Sequence, residues 1–310
     1  MYLPKVNTKA FIHHWDSDDW QLVIKCFKGF EEILAEEVRQ LGGRDVEILH
    51  RAVGCTGDTG FLYKANYSLY TALHVLVNIA QFQAKDADEL YRNALKLPWG
   101  ELIDAEKTFA INFTVHSEAF PHSQYASLRL KDAIVDAVRK HSGKRPSVER
   151  RRPDLQFDLM IAGEQVIISL DSSGDPLFKR GYRKRVGRAP LNEVLASGLI
   201  KKTGWDGERA LYDPFCGSAT LLIEACMQHA KLPAGLFRES FGFERWPNYD
   251  RELFERIKES RLSRIVEPRM PIMGSDRDAV LIKKAFENLE QAQIADIVDL
   301  EVLDFFNSTG

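Results

Sequence analysis

The sequence predicts an α+β region followed by an α/β region, the latter built on an open parallel sheet with helices on both faces. Three observations carry that expectation. Up to residue 175, short strand-like runs and helices mix without a fixed order; from Pro190 onward, strands and helices alternate; and the change falls in a glycine- and arginine-containing stretch, residues 174–182. With 310 residues, 45% hydrophobic and 28% charged, the composition is globular and the chain is long enough for two cores.

A polar leader occupies residues 1–19. Residues 21–27 (QLVIKCF) read as a strand, and residues 30–41 place Phe30, Ile33, Leu34, Val38 and Leu41 at helical spacing. Residues 46–50 and 59–63 read as short strands. A helix is expected over residues 68–80 from Leu69, Leu73, Val75 and Leu76, with glycines 54, 57 and 60 punctuating the stretch before it. Residues 108–115 (TFAINFTV) read as a strand, residues 127–141 as a helix, and residues 157–161 with 165–170 as a hairpin around Ala162-Gly163. In the second region the expected order is a helix over 191–203, a strand over 210–212, a glycine-containing turn, a helix over 220–229 and a strand over 271–274. A helix over 279–292 and a strand over 298–303 follow. Residues 232–268 form a long insertion between neighbouring strands, with a helix expected over 251–262. The expected division is therefore a leader at 1–19, one region over 20–175 and another over 176–310.

Several function classes are disfavoured. Cys26, Cys55, Cys216 and Cys226 lie far apart without metal-ligand or redox spacing, and the start lacks a signal-peptide pattern, which points to a reducing, cytoplasmic setting. No apolar run approaches the roughly eighteen residues that span a bilayer, so no membrane insertion is expected. His13, His14 and His122 have no neighbouring set of carboxylates or cysteines, so no metal is expected. Trp99, Trp205 and Trp246 are weighed as base-stacking residues against core packing, and packing is the expectation.

The net charge of −3 conceals two basic clusters. The stretch from Arg139 to Arg152 (RKHSGKRPSVERRR) contributes Arg139, Lys140, Lys144, Arg145, Arg150, Arg151 and Arg152 against one glutamate. The stretch from Lys179 to Arg188 (KRGYRKRVGR) holds six basic residues in ten, interleaved with glycines and a tyrosine, and contributes Lys179, Arg180, Arg183, Lys184 and Arg185 as candidates. Such runs are more often solvated faces, and the alternative is contact with nucleic-acid phosphates.

The most informative segment is residues 211–224 (LYDPFCGSATLLIE), where a strand runs into Asp213-Pro214, turns through Gly217-Ser218 and enters a helix. A glycine lets a ligand approach the backbone, a helix N-terminus offers unpaired N–H groups to a carboxylate or phosphate, and Asp213 can accept from an ammonium. The methionine part of S-adenosylmethionine carries both groups. The plain alternative is that a tight strand–helix turn simply needs glycine. The next two strands also end in aspartate, at Asp276 and Asp304, where carboxylates can take ribose hydroxyls and an adenine amino group. Taken singly, Asp276 competes with Asp278 as a helix N-cap and Asp304 reads as turn chemistry; taken together, the three strand ends favour an adenosyl ligand. Cys216 sits within the turn and is read as a small packing residue.

The run DPFCGSATLLIEA (residues 213–225) resembles the first cofactor motif of methyltransferases formerly described as N6-adenine-specific DNA methylase-like, DP-x-CGSGT-LLIEA. HSQYASLRLKDAIVDAVRK (122–140) and LDSSGDPLFKRGYRKRVGRAPLNEVLASGLI (170–200) resemble the THUMP-containing guanine-N2 methyltransferases of 23S ribosomal RNA, and the resemblance covers residues 20–310. It implies a ferredoxin-like part plus a THUMP domain that grips RNA, followed by a Rossmann-like class I methyltransferase domain with S-adenosylmethionine as cofactor. By the same resemblance, Asp213, Pro214, Gly217 and Ser218 line the methionine end, Asp276 the ribose, and Asp304 with Phe305 the adenine. Ala189, Pro190 and Glu193 match an additional cofactor-side motif. One departure is Ala219, where the family has a second glycine; alanine there implies either an ordinary backbone or weaker affinity.

Methylation of an exocyclic amine in this family uses an Asn/Asp-Pro-Pro-aromatic segment after the next strand, and the chain contains no Pro-Pro. No residue is therefore assigned a catalytic role. Two accounts fit, part of a longer enzyme whose catalytic motif lies beyond Gly310 or a naturally shortened protein, and the first is the expectation. The implied partner is structured RNA, 23S ribosomal RNA before transfer RNA, with a binding module lacking chemistry as the other alternative and DNA adenine methylation disfavoured by the THUMP-like region.

Overall fold

The structure is a computed structural model that describes residues 19–183 and 190–307. It opens with β1 (Trp20–Lys25), whose Trp20, Leu22 and Ile24 face inward in alternation, and α1 (Glu31–Gln40), which buries Leu34, Ala35 and Val38. A hairpin of β2 (Arg44–Leu49) and β3 (Ala52–Gly57), helix α2 (Thr59–Ser68) and strand β4 (His74–Gln83) complete the first unit. Then come α3 (Ala87–Ala94), α4 (Trp99–Leu102), β5 (Thr108–His116), α5 (Ser123–Ser142), β6 (Ser147–Val148), and the hairpin of β7 (Leu155–Ala162) with β8 (Gln165–Asp171). These strands form one sheet in the order β2-β3-β1-β4-β8-β7-β5-β6, joined at its middle by antiparallel pairing of β4 with β8.

Two expectations fail in the first unit. The strand expected over residues 59–63 is the start of α2: Asp58 caps it by accepting from the Phe61 N–H at 2.6 Å, and the β-prone Phe61 and Tyr63 are there for burial. The helix expected over residues 68–80 is largely β4, which lies between β1 and β8. A strand covered on both faces shows a near-continuous apolar run in place of alternation, and VLVNIA imitates helical spacing for that reason. β3 escapes the sequence reading because Gly54 and Gly57 lie within the strand.

The second region follows its expected order. Helix α6 (Glu193–Thr203) leads to β9 (Leu211–Asp213), α7 (Thr220–His229), α8 (Arg251–Leu262), β10 (Ile272–Asp276), α9 (Ala279–Gln291) and β11 (Val298–Val302). The strands are parallel in the order β11-β10-β9, with Ile272 level with both Leu211 and Val298.

Residues 232–268 turn back onto the first unit. Phe241, Phe243, Trp246 and Phe254 are buried in the same cluster as β1, α1 and α2. The Tyr63 ring stacks on Phe243 at 4.4 Å and meets Phe254 edge-on at 5.6 Å, and its hydroxyl accepts from the Asp250 N–H at 3.0 Å. Burying each such side chain contributes roughly 1.5–3 kcal/mol. On the other side α6 approaches so closely that a Cβ at Gly198 would lie 2.1 Å from the Phe30 ring, while Lys201 pairs with Glu37 at 3.3 Å. Trp99 is fully buried and donates to the Ala94 carbonyl at 2.7 Å, so Trp99 and Trp246 are core residues.

The seam between β4 and β8 carries a titratable pair. His74 Nδ1 lies 2.7 Å from Asp171 Oδ2, and the other Asp171 oxygen accepts from the Ser173 N–H at 2.8 Å. Burial alone would make His74 harder to protonate, but the Asp171 carboxylate outweighs it and holds the imidazole above its ordinary value of 6.5. A raised folded value means the pair's contribution is full below the unfolded value and is lost as pH rises through the folded one. The stability difference between wild type and His74→Gln, measured by urea unfolding, is therefore expected to shrink as pH is raised from below 6.5 to well above it; a difference independent of pH would refute the assignment.

Candidate cofactor site and RNA cleft

The turn between β9 and α7 is held from three directions. Asp213 Oδ1 accepts the Phe215 N–H at 3.0 Å; the Gly217 N–H donates to Asp276 Oδ2 at 3.1 Å; and the buried Asn288 on α9 donates from Nδ2 to the Ser218 carbonyl at 3.2 Å. Asp276 Oδ1 accepts the Asp278 N–H at 3.0 Å, and Asp278 itself caps α9 by accepting from Val280 at 2.8 Å. The N-cap role thus falls to Asp278, and Asp276 belongs to the turn. Each Asp276 oxygen retains acceptor capacity for a further donor.

The backbone of this turn is left-handed at Gly217 (φ +55°) and at Ala219 (φ +62°). Of the two readings of Ala219, an ordinary backbone is ruled out. Ala219 is the N-cap of α7 and supplies no side-chain hydrogen bond, so the first N–H groups of the helix remain available to an anion.

Burial lifts the Asp213 carboxyl above its usual range; the Phe215 N–H pulls it back and neighbouring Asp276 lifts it again. Two carboxylates that disfavour each other at the rim of a helix N-terminus fit a ligand with a cationic amine and a carboxylate. Phe215 and Phe305, 63% and 42% exposed, stand 5.6 Å apart and link the ends of β9 and β11 with apolar surface for a planar base. Asp304 Oδ1 accepts the Phe306 N–H at 3.1 Å, which is ordinary turn chemistry. Burial pushes the Cys216 thiol up to about 12, with Asp213 and Asp276 adding to the effect, so it presents no thiolate nucleophile. Among the described residues no group of three or more His, Cys, Asp and Glu could hold a metal ion.

Behind the turn lies a buried polar network that sequence reasoning missed. Glu224, the glutamate of the LLIEA run, is fully buried; Tyr182 donates to its Oε1 at 2.9 Å, Ser197 to its Oε2, and Arg180 Nε lies 3.5 Å away. Arg180 is 1% exposed and also donates to the carbonyls of Leu177 at 3.0 Å and Tyr70 at 2.6 Å. Arg183 pairs with Glu193 at 3.2 Å and donates to the Leu191 carbonyl at 2.8 Å and to Thr220 Oγ1 at 2.7 Å. Arg180, sealed at 1% exposure, is therefore a strut of the fold, against the expectation that it contacts RNA, whereas Arg183, also held internally, keeps part of its surface on a large cleft. Lys184, Arg185 and Ala189 lie outside the described residues. A glutamate inside an otherwise apolar helical run was the available signal for the network.

Glu193, expected beside the cofactor, is buried, and it reaches the turn through Arg183 and Thr220. With Pro190 it lines a cleft of about 740 Å³ that faces Arg150, Arg151 and Arg152 across the two units. None of Asp213, Asp276 and Asp304 lines that cleft. Arg139, Lys140, Lys144, Arg145 and the three arginines are exposed; Lys144 pairs with Glu106 at 2.5 Å, and the exposed Lys179 with Asp175 at 2.7 Å.

Residues 21–76 match the RlmL ferredoxin-like domain, 84–171 the THUMP domain and 180–309 the RMKL-like methyltransferase domain. A candidate RNA methyltransferase of Synechocystis sp. is 36% identical over 279 residues, 90% of this chain and 73% of that protein. The chain belongs to the THUMP-containing RNA methyltransferase family. The ribosomal RNA large subunit methyltransferase K/L of Psychromonas ingrahamii is 36% identical over 287 residues; the match covers 91% of this chain but only 38% of that protein. The crystal structure of a predicted N6-adenine-specific DNA methylase from Listeria monocytogenes superposes with a TM-score of 0.86 at 27% identity, covering 94% of this chain and 77% of that one. S-adenosylmethionine is the cofactor that goes with this domain, and the strand ends and helix N-terminus described above fit it.

Two substitutions separate strain from anchoring. Ala219→Gly removes a left-handed alanine and is expected to raise stability by roughly 1 kcal/mol, read as a higher unfolding midpoint. Glu224→Ala leaves Arg180 buried without its carboxylate and is expected to cost roughly 3–5 kcal/mol in denaturant unfolding. A neutral outcome for Glu224→Ala would show that the network holds nothing.

Proposed function

We propose that this chain supplies the RNA-binding surface and most of the cofactor site of an enzyme that methylates the exocyclic N2 amine of a guanine in 23S ribosomal RNA. The observation that carries the reading is the cleft in which the exposed arginines of the THUMP unit face the start of α6, whose Glu193 is tied through Arg183 to the cofactor turn. Asp213 binds the ammonium of the cofactor, the N–H groups at the start of α7 its carboxylate, Asp276 the ribose hydroxyls and Phe305 the adenine face. When bound there, the cofactor supplies the methyl group. Among the described residues no helix is long and apolar enough to cross a membrane, and we place the activity in the cytoplasm with its RNA.

The protein carrying this chain, given S-adenosylmethionine and unmodified large-subunit RNA, is expected to transfer methyl to guanine N2; absence of transfer to guanine would sink the reading. Replacing Arg150, Arg151 and Arg152 with glutamine is expected to weaken RNA binding and to flatten its salt dependence by roughly one unit of slope for each phosphate no longer neutralised. An unchanged slope would remove the three from the interface.

A further inference from the structure

On the side of the molecule formed by α1, α2 and α8 lies a second, smaller cleft of about 380 Å³. Arg39, Lys64, Arg256, Arg261 and Arg264 line it, and no carboxylate does. They come from three separate elements, so no single run of sequence reveals the cluster. Each has few internal partners. Among the described residues, Lys64 Nζ reaches only the Leu41 carbonyl at 3.3 Å, Arg39 has a loose, exposed contact with Glu36 at 3.7 Å, and Arg261 Nε is buried with no hydrogen-bond partner. Burial and the charge of Arg264 both make the Arg261 guanidinium less basic than usual.

Helix C-termini account for part of this. Arg39 and Arg261 sit in the last turns of α1 and α8, where a cation offsets the helix dipole. That leaves Lys64, Arg256 and Arg264 brought together against mutual repulsion, with nothing anionic between them. Guanidinium groups offer paired N–H donors whose spacing matches two oxygens of a phosphate. The segment that supplies α8 also supplies Phe241 and Gly242 to the wall of the large cleft, so one strap borders both openings.

We infer that this cleft is a second RNA contact, which holds a backbone phosphodiester away from the base being modified. The inference rests on the proposal that the chain binds RNA. Arg256 and Arg264 are exposed, so Arg256→Gln with Arg264→Gln leaves packing intact, and the unfolding midpoint of the double variant in phosphate-free buffer verifies that. The test measures binding of a large-subunit RNA transcript against salt for wild type, for the double variant, for the Arg150, Arg151 and Arg152 triple variant, and for the exposed control Arg209→Gln. The double variant is expected to lose between one and two units of slope, roughly 0.9 for each phosphate released, additively with the triple variant and with no change in the control. A double variant with wild-type slope, beside a triple variant that is flattened, overturns this inference and leaves the proposed function standing. A second arm titrates inorganic phosphate and reads thermal stabilisation. If wild type binds no RNA, the proposed function falls; phosphate stabilisation that the double variant loses would then mark a site for a free anion, which also overturns the inference.

Discussion

Glu224 places a carboxylate where water does not reach, and much of the second region is arranged around that fact. Removing such a group from water costs several kcal/mol, which only close hydrogen bonds can offset. Tyr182 and Ser197 supply them from the segment before α6 and from α6 itself, and Arg180, from the loop after β8, adds its charge at 3.5 Å. Arg180 in turn is fixed to the Tyr70 carbonyl, and the Tyr70 hydroxyl donates to the Met227 carbonyl at 2.8 Å on the far side of α7. The helix whose N-terminus forms the candidate cofactor site is thus tied to the ferredoxin-like domain through its own motif glutamate. Changing the relative placement of the two units would strand a buried charge.

That constraint explains why the second basic stretch is misleading when read as a string. Lys179, Arg180 and Arg183 look alike in composition, yet one is exposed, one is sealed around Glu224 and one is half-buried against Glu193 and Thr220. Burial of a long cation depends on a partner elsewhere in the chain, and here the partners lie up to 110 residues away in numbering. The cofactor turn was legible for the opposite reason. Its determinants are local: Asp213 at a strand end, Gly217 at a left-handed position and Thr220 at a helix start all fall within eight residues. Asp276 could be placed because a parallel sheet brings successive strand ends together.

The first unit shows where periodicity fails. β4 sits in the middle of a sheet with neighbours on both edges and cover on both faces, so its residues carry no alternation to read. α2 carries aromatic residues because the clasp formed by residues 232–268 needs rings to pack on, and those rings imitate a strand. The clasp itself could have been anticipated. Within a charged stretch, FGFERWPNYDRELF concentrates aromatic residues that a solvent loop would not need, and only docking onto another core accounts for them.

The two units make contact toward the end of α6, while its start borders the cleft between them. At its start, Glu193 faces the arginine cleft and joins the cofactor turn through Arg183; at its end, Lys201 pairs with Glu37 and Gly198 lets Phe30 approach. A helix of 11 residues fixed at its end to the core of the first region and at its start, through Arg183, to Thr220 couples the turn before α7 to that core.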